Sequence, residues 1–231
     1  MITYKINTSF KKNLGFEISY QQVLQATLSV NDFLHTLTPI LFKNIDFKTT
    51  GAMIGAIFCS KIIEFVPDTV VNPIEKGHPD IIPCSALSEN VNEFSLRNYP
   101  QGLEIKGTIG NITQGANLRA GVKRINSLTG ITWQAHHREV NNLMGIIWDF
   151  VSSTDDDSFF SPAITAVFFS DELNTDDWGA ISGLTGRNTK VSGMIKSGKE
   201  KMGQGTILII DDEAYISKYS KFLNIPKNLF E

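Results

Sequence analysis

Cysteine is nearly absent from this chain: Cys59 and Cys84 are the two it has in 231 residues. Two cysteines make neither a disulfide framework nor a zinc site by themselves, so a reducing, cytoplasmic setting is expected. Long apolar runs are missing as well. No stretch approaches the roughly 20 apolar residues of a membrane-spanning helix, and MITYKINTSFKKNLGF lacks the apolar segment of a secretory signal. Charge is sparse at 19%, and the net charge of −3 argues against holding nucleic acid by bulk charge. No G-x-x-x-x-G-K-[ST] occurs, so nothing supports ATP use. Repeats and low-complexity tracts are absent too.

What is present is a globular composition, 42% hydrophobic, at a length suited to one large domain. Its charge is unevenly placed. Arg97, Lys106, Arg119, Lys123, Arg124 and Arg138 face only Glu104 and Glu139 between positions 97 and 147. Positions 178–205 carry Arg187, Lys190, Lys196, Lys199 and Lys201 against Glu200. Between these basic segments, positions 148–177 hold eight acidic residues and no Lys or Arg. Such a pattern suits a polyanion-binding cleft with a charged back face, or simply solvated loops.

Hydrophobic periodicity predicts a helix over 17–43, broken near Pro39, and a second from Thr49 or Thr50 to Pro67. HPDIIP is a brief strand candidate, and QGLEIKGTI (101–109) alternates like a half-buried strand. A possible helix at 114–127 precedes strand candidates at 130–137, 143–151, 163–169 and 205–212. A helix over 213–222 closes the chain. Helices first, then strands mixed with helices, indicate an α/β or α+β domain around a central mixed sheet. The division expected is a helical N-terminal part (1–66), a core (78–151) and a basic glycine-rich loop (182–205) within one domain, 1–231.

One constellation carries chemistry. Pro79-Asp80 is followed 24 residues later by Glu104-Ile105-Lys106. On a strand, positions i and i+2 share a face, so Glu104 and Lys106 project together. An aspartate from a neighbouring strand then joins Glu104 in holding a hard cation such as Mg²⁺ through oxygen. Lys106 stands beside the site to orient or deprotonate a water, or to stabilise phosphate charge. Glu64 offers a further ligand through water. Asp46-Phe47-Lys48 and Pro67-Asp68 repeat parts of the pattern, but in the wrong order or at a longer gap.

The stretch from Asp80 to Lys106 resembles the PD-(D/E)xK signature of type II restriction endonucleases and their nuclease relatives. That resemblance implies a mixed sheet flanked by helices, Mg²⁺-dependent cleavage of double-stranded DNA and a homodimer reading a palindrome. It also implies a cognate DNA methyltransferase in the same system. Asp80 and Glu104 match the metal-binding carboxylates, Lys106 the catalytic lysine, and Glu64 an accessory acidic position. A structure- or damage-directed nuclease of the same fold, and a non-catalytic DNA-binding module, are the alternatives.

For DNA contacts, Asn111, Thr113, Gln114, Asn117, Arg119, Lys123, Arg124 and Asn126 follow the candidate catalytic strand. These types pair with base edges and phosphates. Arg187, Lys190, Lys196 and Lys199 form a second group, and His136 and Arg138 lie between the two. His136 and His137, read on a strand, point to opposite faces and cannot share a metal. Asp155–Asp157 read as a turn, and Asp211, Asp212 and Glu213 as a helix N-terminus that favours acidic residues. Trp148 and Trp178 are expected in the core or an interface.

Overall fold

The computed structural model describes residues 2–88, 92–112, 123–152, 160–183 and 189–230. The chain opens with β1 (Tyr4–Ile6) and a small antiparallel pair, β2 (Lys11–Asn13) and β3 (Glu17–Ser19). Helices α1 (Tyr20–Thr36), α2 (Pro39–Asn44) and α3 (Phe47–Phe65) follow. Strands β4 (Thr69–Val71) and β5 (Ile81–Pro83) pair with each other, and α4 (Glu93–Arg97) precedes β6 (Glu104–Thr108). Short strands β7 (Asn111–Ile112), β8 (Leu128–Gly130) and β9 (Thr132–Gln134) lead to two long ones, β10 (Leu143–Ser152) and β11 (Phe160–Ser170). Strand β12 (Val191–Gly193), helix α5 (Lys196–Gln204), β13 (Thr206–Ile210) and α6 (Glu213–Leu223) complete the described chain.

The central sheet is mixed, in the order β1-β13-β11-β10-β6, with β6 parallel to β10 and every other pair antiparallel. Helices cover both faces. Helices α1 and α3 pack over β11 and β6 around a core that includes Ile54, Phe58, Met144, Ile146 and Trp148. Helices α5 and α6 cover the other face with Trp178, Met202, Tyr215 and Tyr219. This is the α+β arrangement expected, and no helix among the described residues is long and apolar enough to cross a membrane.

Several boundaries differ from the sequence expectation for local reasons. Residues 17–19 form a strand, and α1 starts after Ser19, whose amide donates to the Gln22 side chain at 2.7 Å. Pro39 opens α2, because its fixed φ and missing N–H suit a first turn. Helix α3 starts at Phe47, ahead of the expected start after Thr49 or Thr50, and is capped by Asp46, whose carboxylate accepts from the Thr49 amide at 2.9 Å. The second D-x-K is therefore a helix cap.

The described residues within 182–205, namely 182–183 and 189–205, are not an irregular loop. Within them, Val191–Gly193 pair with β9, and Lys196–Gln204 form a helix that buries Gly198 and Met202. Here glycine serves close packing: a Cβ on Gly198 would lie 2.8 Å from the Asp177 carbonyl oxygen. The strand expected over 130–137 stops at Gln134 and becomes a 3₁₀ turn over Ala135–Glu139. Most of the helix expected at 114–127 lies outside the described residues; its described end, Ile125–Ser127, is a 3₁₀ turn.

Candidate functional site

The strand that carries Glu104 and Lys106 is positioned from three sides. Along one edge it runs parallel to β10, with Glu104 opposite Leu143 and Lys106 opposite Gly145. Above it crosses α3 at very short range. A Cβ on Gly107 would lie 2.8 Å from the Gly51 carbonyl oxygen, so the helix's small face sets its height over the strand. On the other edge, Ile81 and Leu103 exchange backbone hydrogen bonds of 3.0 and 2.9 Å. That approach depends on Gly102, at φ 132°, where a Cβ would overlap the Ile81 carbonyl oxygen.

Asp80, immediately before β5, consequently reaches the Glu-x-Lys. Its Oδ2 accepts from the Ile105 amide at 2.7 Å, between the two residues it was expected to meet. Asp80 and Lys106 line one open cleft of about 580 Å³ with Lys48, Thr108, Thr132 and Gln134. Glu104 does not line it and is 2% exposed. Burial and the Glu104 charge push the Asp80 carboxyl above the usual carboxylate range. Burial also pushes the Lys106 ammonium down, against the opposing pull of Glu104 and Asp80.

Three histidines gather around Glu104, of only four in the chain. His78 Nδ1 lies 3.2 Å from both carboxylate oxygens. His137 Nε2 lies 3.2 Å from Oε1, while its Nδ1 lies 3.0 Å from the Gln134 carbonyl oxygen. Both ring nitrogens of the buried His137 are thus committed to oxygen partners. His136 stacks between, its ring centroid 4.0 Å from His137 and 4.6 Å from His78. Burial drives the Glu104 carboxyl up, but its contacts with His137 and His78 outweigh that and leave it below the usual range. The Glu104 contact raises His78. Burial, with His137 and His78 nearby, holds His136 down at about 4, a neutral imidazole at pH 7.

Sequence reading put His136 and His137 on opposite faces of a strand. The 3₁₀ turn overturns this, bringing both rings to the same carboxylate. A signal was present: after Trp133 no apolar alternation continues through HHRE, so a strand has nothing to bury. His78 was missed outright, although an extended chain puts it on the same side as Asp80, two residues on. Among the described residues, the grouping suited to a metal ion is His78, Glu104 and His136, with ligand atoms all within 4.8 Å of one another. The donor set fits a divalent cation: one buried carboxylate beside two imidazoles.

The remaining expected residues are dispersed. Glu64, near the end of α3, is bound to Lys61 at 2.8 Å, on the protein surface. Asn111 donates to Thr132 Oγ1 at 2.6 Å, on the cleft wall. Lys123 pairs with Asp212, and the Arg124 guanidinium covers the Phe47 ring at 5.2 Å. Arg138 donates to the Thr175 carbonyl oxygen. Lys190 is exposed, and its carbonyl accepts from the Ala135 amide, next to the histidine turn. Lys196 and Lys199 ride on α5, in the opposite helical layer. Thr113, Gln114, Asn117, Arg119, Arg187 and Asp155–Asp157 lie outside the described residues.

Comparison with protein-family models, curated proteins and solved structures gives no match.

Proposed function

We propose that this chain is a divalent-metal-dependent nuclease that hydrolyses phosphodiester bonds of double-stranded DNA, built on a restriction-endonuclease-like core. One observation carries the reading. The Asp80 carboxylate accepts from the amide of Ile105, the residue between the buried Glu104 and Lys106, and Asp80 and Lys106 line one open cleft. Asp80 and Glu104 would hold the cation, Mg²⁺ by the resemblance. A bound cation supplies Lewis acidity and lowers the pKa of its water.

The protein's own part follows from the geometry. Lys106, its ammonium destabilised by burial, is poised to take a proton from an attacking water or orient it. Lys48, also on the cleft wall, adds positive potential where a phosphate would lie. Thr108, Thr132 and Gln134 offer hydroxyl and amide contacts along the same wall. His137 positions Glu104 from behind. Site-specific cutting, a homodimer and a partner methyltransferase follow from the family likeness alone.

The test is a digest of unmethylated phage DNA with Mg²⁺, beside an EDTA control and the Lys106→Ala variant. Discrete metal-dependent bands, lost in the variant, are expected. A smear redirects the reading to a nuclease without sequence readout. If neither Mg²⁺ nor Mn²⁺ supports cutting of any DNA, the reading falls.

A further inference from the structure

The Asp80–Lys106 cleft is one of two openings onto this constellation. The second, about 300 Å³, shares none of its lining residues with the first and is lined by His78, His136, Tyr99, Gln101, Glu139 and Asn142. Neither Asp80 nor Lys106 borders it, whereas His78 and His136 both do. Glu104 itself is buried and lines neither opening, but its carboxylate lies within ligand distance of His78 and His136, which line the second.

The three histidines differ in ways that divide their roles. His137 is 1% exposed, and its two ring nitrogens are committed to Gln134 and Glu104. It is a positioning residue of the kind that fixes a ligating group from behind. The His78 side chain is 31% exposed, and His136 is exposed with its ring against His78. Their nitrogens reach solvent through the second opening, and both approach Glu104 closely.

We infer that His78, His136 and Glu104 form a binding site for a first-row transition-metal dication such as Zn²⁺ or Co²⁺, entered from the second opening. As an account of which cation the enzyme takes up, this rests on the nuclease reading; as a binding site it is measured without DNA. The physical ground is ligand preference. Imidazole nitrogen suits Zn²⁺, Co²⁺ and their neighbours, whereas Mg²⁺ selects oxygen and keeps its waters. Zinc–nitrogen bonds run near 2.0–2.1 Å. The three ligand atoms, all within 4.8 Å of one another, are near the separations that such bonds to one shared ion impose. Two imidazoles and a carboxylate leave open coordination positions for water or a phosphate oxygen.

The experiment is metal titration of the full chain after EDTA treatment and desalting. Binding of Co²⁺ is followed by its visible absorption, and Zn²⁺ and Mg²⁺ by calorimetry. One equivalent of Co²⁺ is expected, with an absorption spectrum showing nitrogen ligation, displaced by Zn²⁺ and held at least about 100-fold more tightly than Mg²⁺. His136→Ala, on an exposed side chain that leaves the His137–Glu104 contact in place, should weaken Co²⁺ by about tenfold or more and alter the spectrum. His78→Gln should do the same, with circular dichroism confirming the fold of each. Lys106→Ala should keep the Co²⁺ site. Wild-type Co²⁺ affinity in both histidine variants, or no preference over Mg²⁺, overturns the site. Binding as expected with no DNA cleavage under any metal keeps the site and removes the nuclease reading. Mg²⁺-driven cleavage with Co²⁺ binding indifferent to His136 and His78 does the reverse.

Discussion

Glu104 and Asp149 are equally buried, each 2% exposed, and they are satisfied in opposite ways. Asp149 accepts from the amides of Arg124, Ile125 and Phe150 and from the Tyr215 hydroxyl. Three of those donors are backbone groups, and Tyr215 is itself fully buried. Nothing in that arrangement can leave without unfolding the segment that supplies it. Glu104 is held instead by His78 and His137, side chains whose protons exchange, with His78 open to solvent. Burial alone raises both groups, and it prevails at Asp149, where the donors are neutral. It loses at Glu104, where the partners are imidazoles. A carboxylate pinned by backbone donors is a structural tie. One held by titratable, partly open side chains can exchange them for a cation.

Exchanging the two carboxylates' fates is the sharpest way to break this comparison. Glu104→Gln and Lys106→Ala should each lower DNA cutting by about 10³-fold or more, with the midpoint of thermal unfolding nearly unchanged in Lys106→Ala and lowered in Glu104→Gln by less than in Asp149→Ala. Asp149→Ala should do the opposite. It strands three buried amides and a hydroxyl, at a cost of at least about 3 kcal/mol, which lowers the melting temperature by roughly 6–12 °C. Cutting per folded molecule should survive. A Glu104 variant that melts like the Asp149 variant would show that both are structural.

Gly102→Ala should join the two kinds of damage. Its strained φ costs about 1–3 kcal/mol, and parting β5 from β6 withdraws Asp80 from Ile105, so stability and cutting fall together. Calorimetry and a digest of the same preparation check it.

A smaller effect concerns pH. Glu104 lies below its ordinary 4.5 and His78 above its ordinary 6.5. The lowered carboxylate stabilises the fold above 4.5, and the benefit fades as pH falls through its folded value. The raised histidine stabilises below 6.5, and the benefit fades as pH rises through its folded value. In metal-free protein, the melting difference between wild type and His78→Ala should therefore peak between pH 4.5 and 6.5 and shrink on either side. Smallest of all, Lys196→Ala should leave stability and cutting within error. Its Glu200 partner is a surface neighbour one helical turn away, and such pairs contribute about 0.3–0.5 kcal/mol at most.

Much of the fold was legible because local signals agree with tertiary ones. Apolar periodicity marked α1 and α3, and apolar runs marked β10, β11 and β13. Period-2 alternation marked β6. The expected meeting of Asp80 with Glu104-Ile105-Lys106 is present in the geometry, since a short strand pair needs few residues to register. What failed did so where side-chain pattern misstates the packing. The glycines of 182–205 suggested a loop, yet Gly198 and Gly203 are small because α5 sits hard against the Asp177 carbonyl and Leu223. His136 and His137 looked opposed because two-residue alternation was extended past the end of β9.

By itself, then, the sequence determined the α+β class, the order of the main elements and a carboxylate–carboxylate–lysine motif, because hydrophobic periodicity and i, i+2 spacing are local properties of the chain. Only the tertiary structure decided which histidines meet Glu104. Residues 78, 104, 136 and 137 are brought together by the parallel pairing of β6 with β10, the bend after Gln134 and the close approach at Gly102. None of those long-range contacts leaves a periodic trace in the chain.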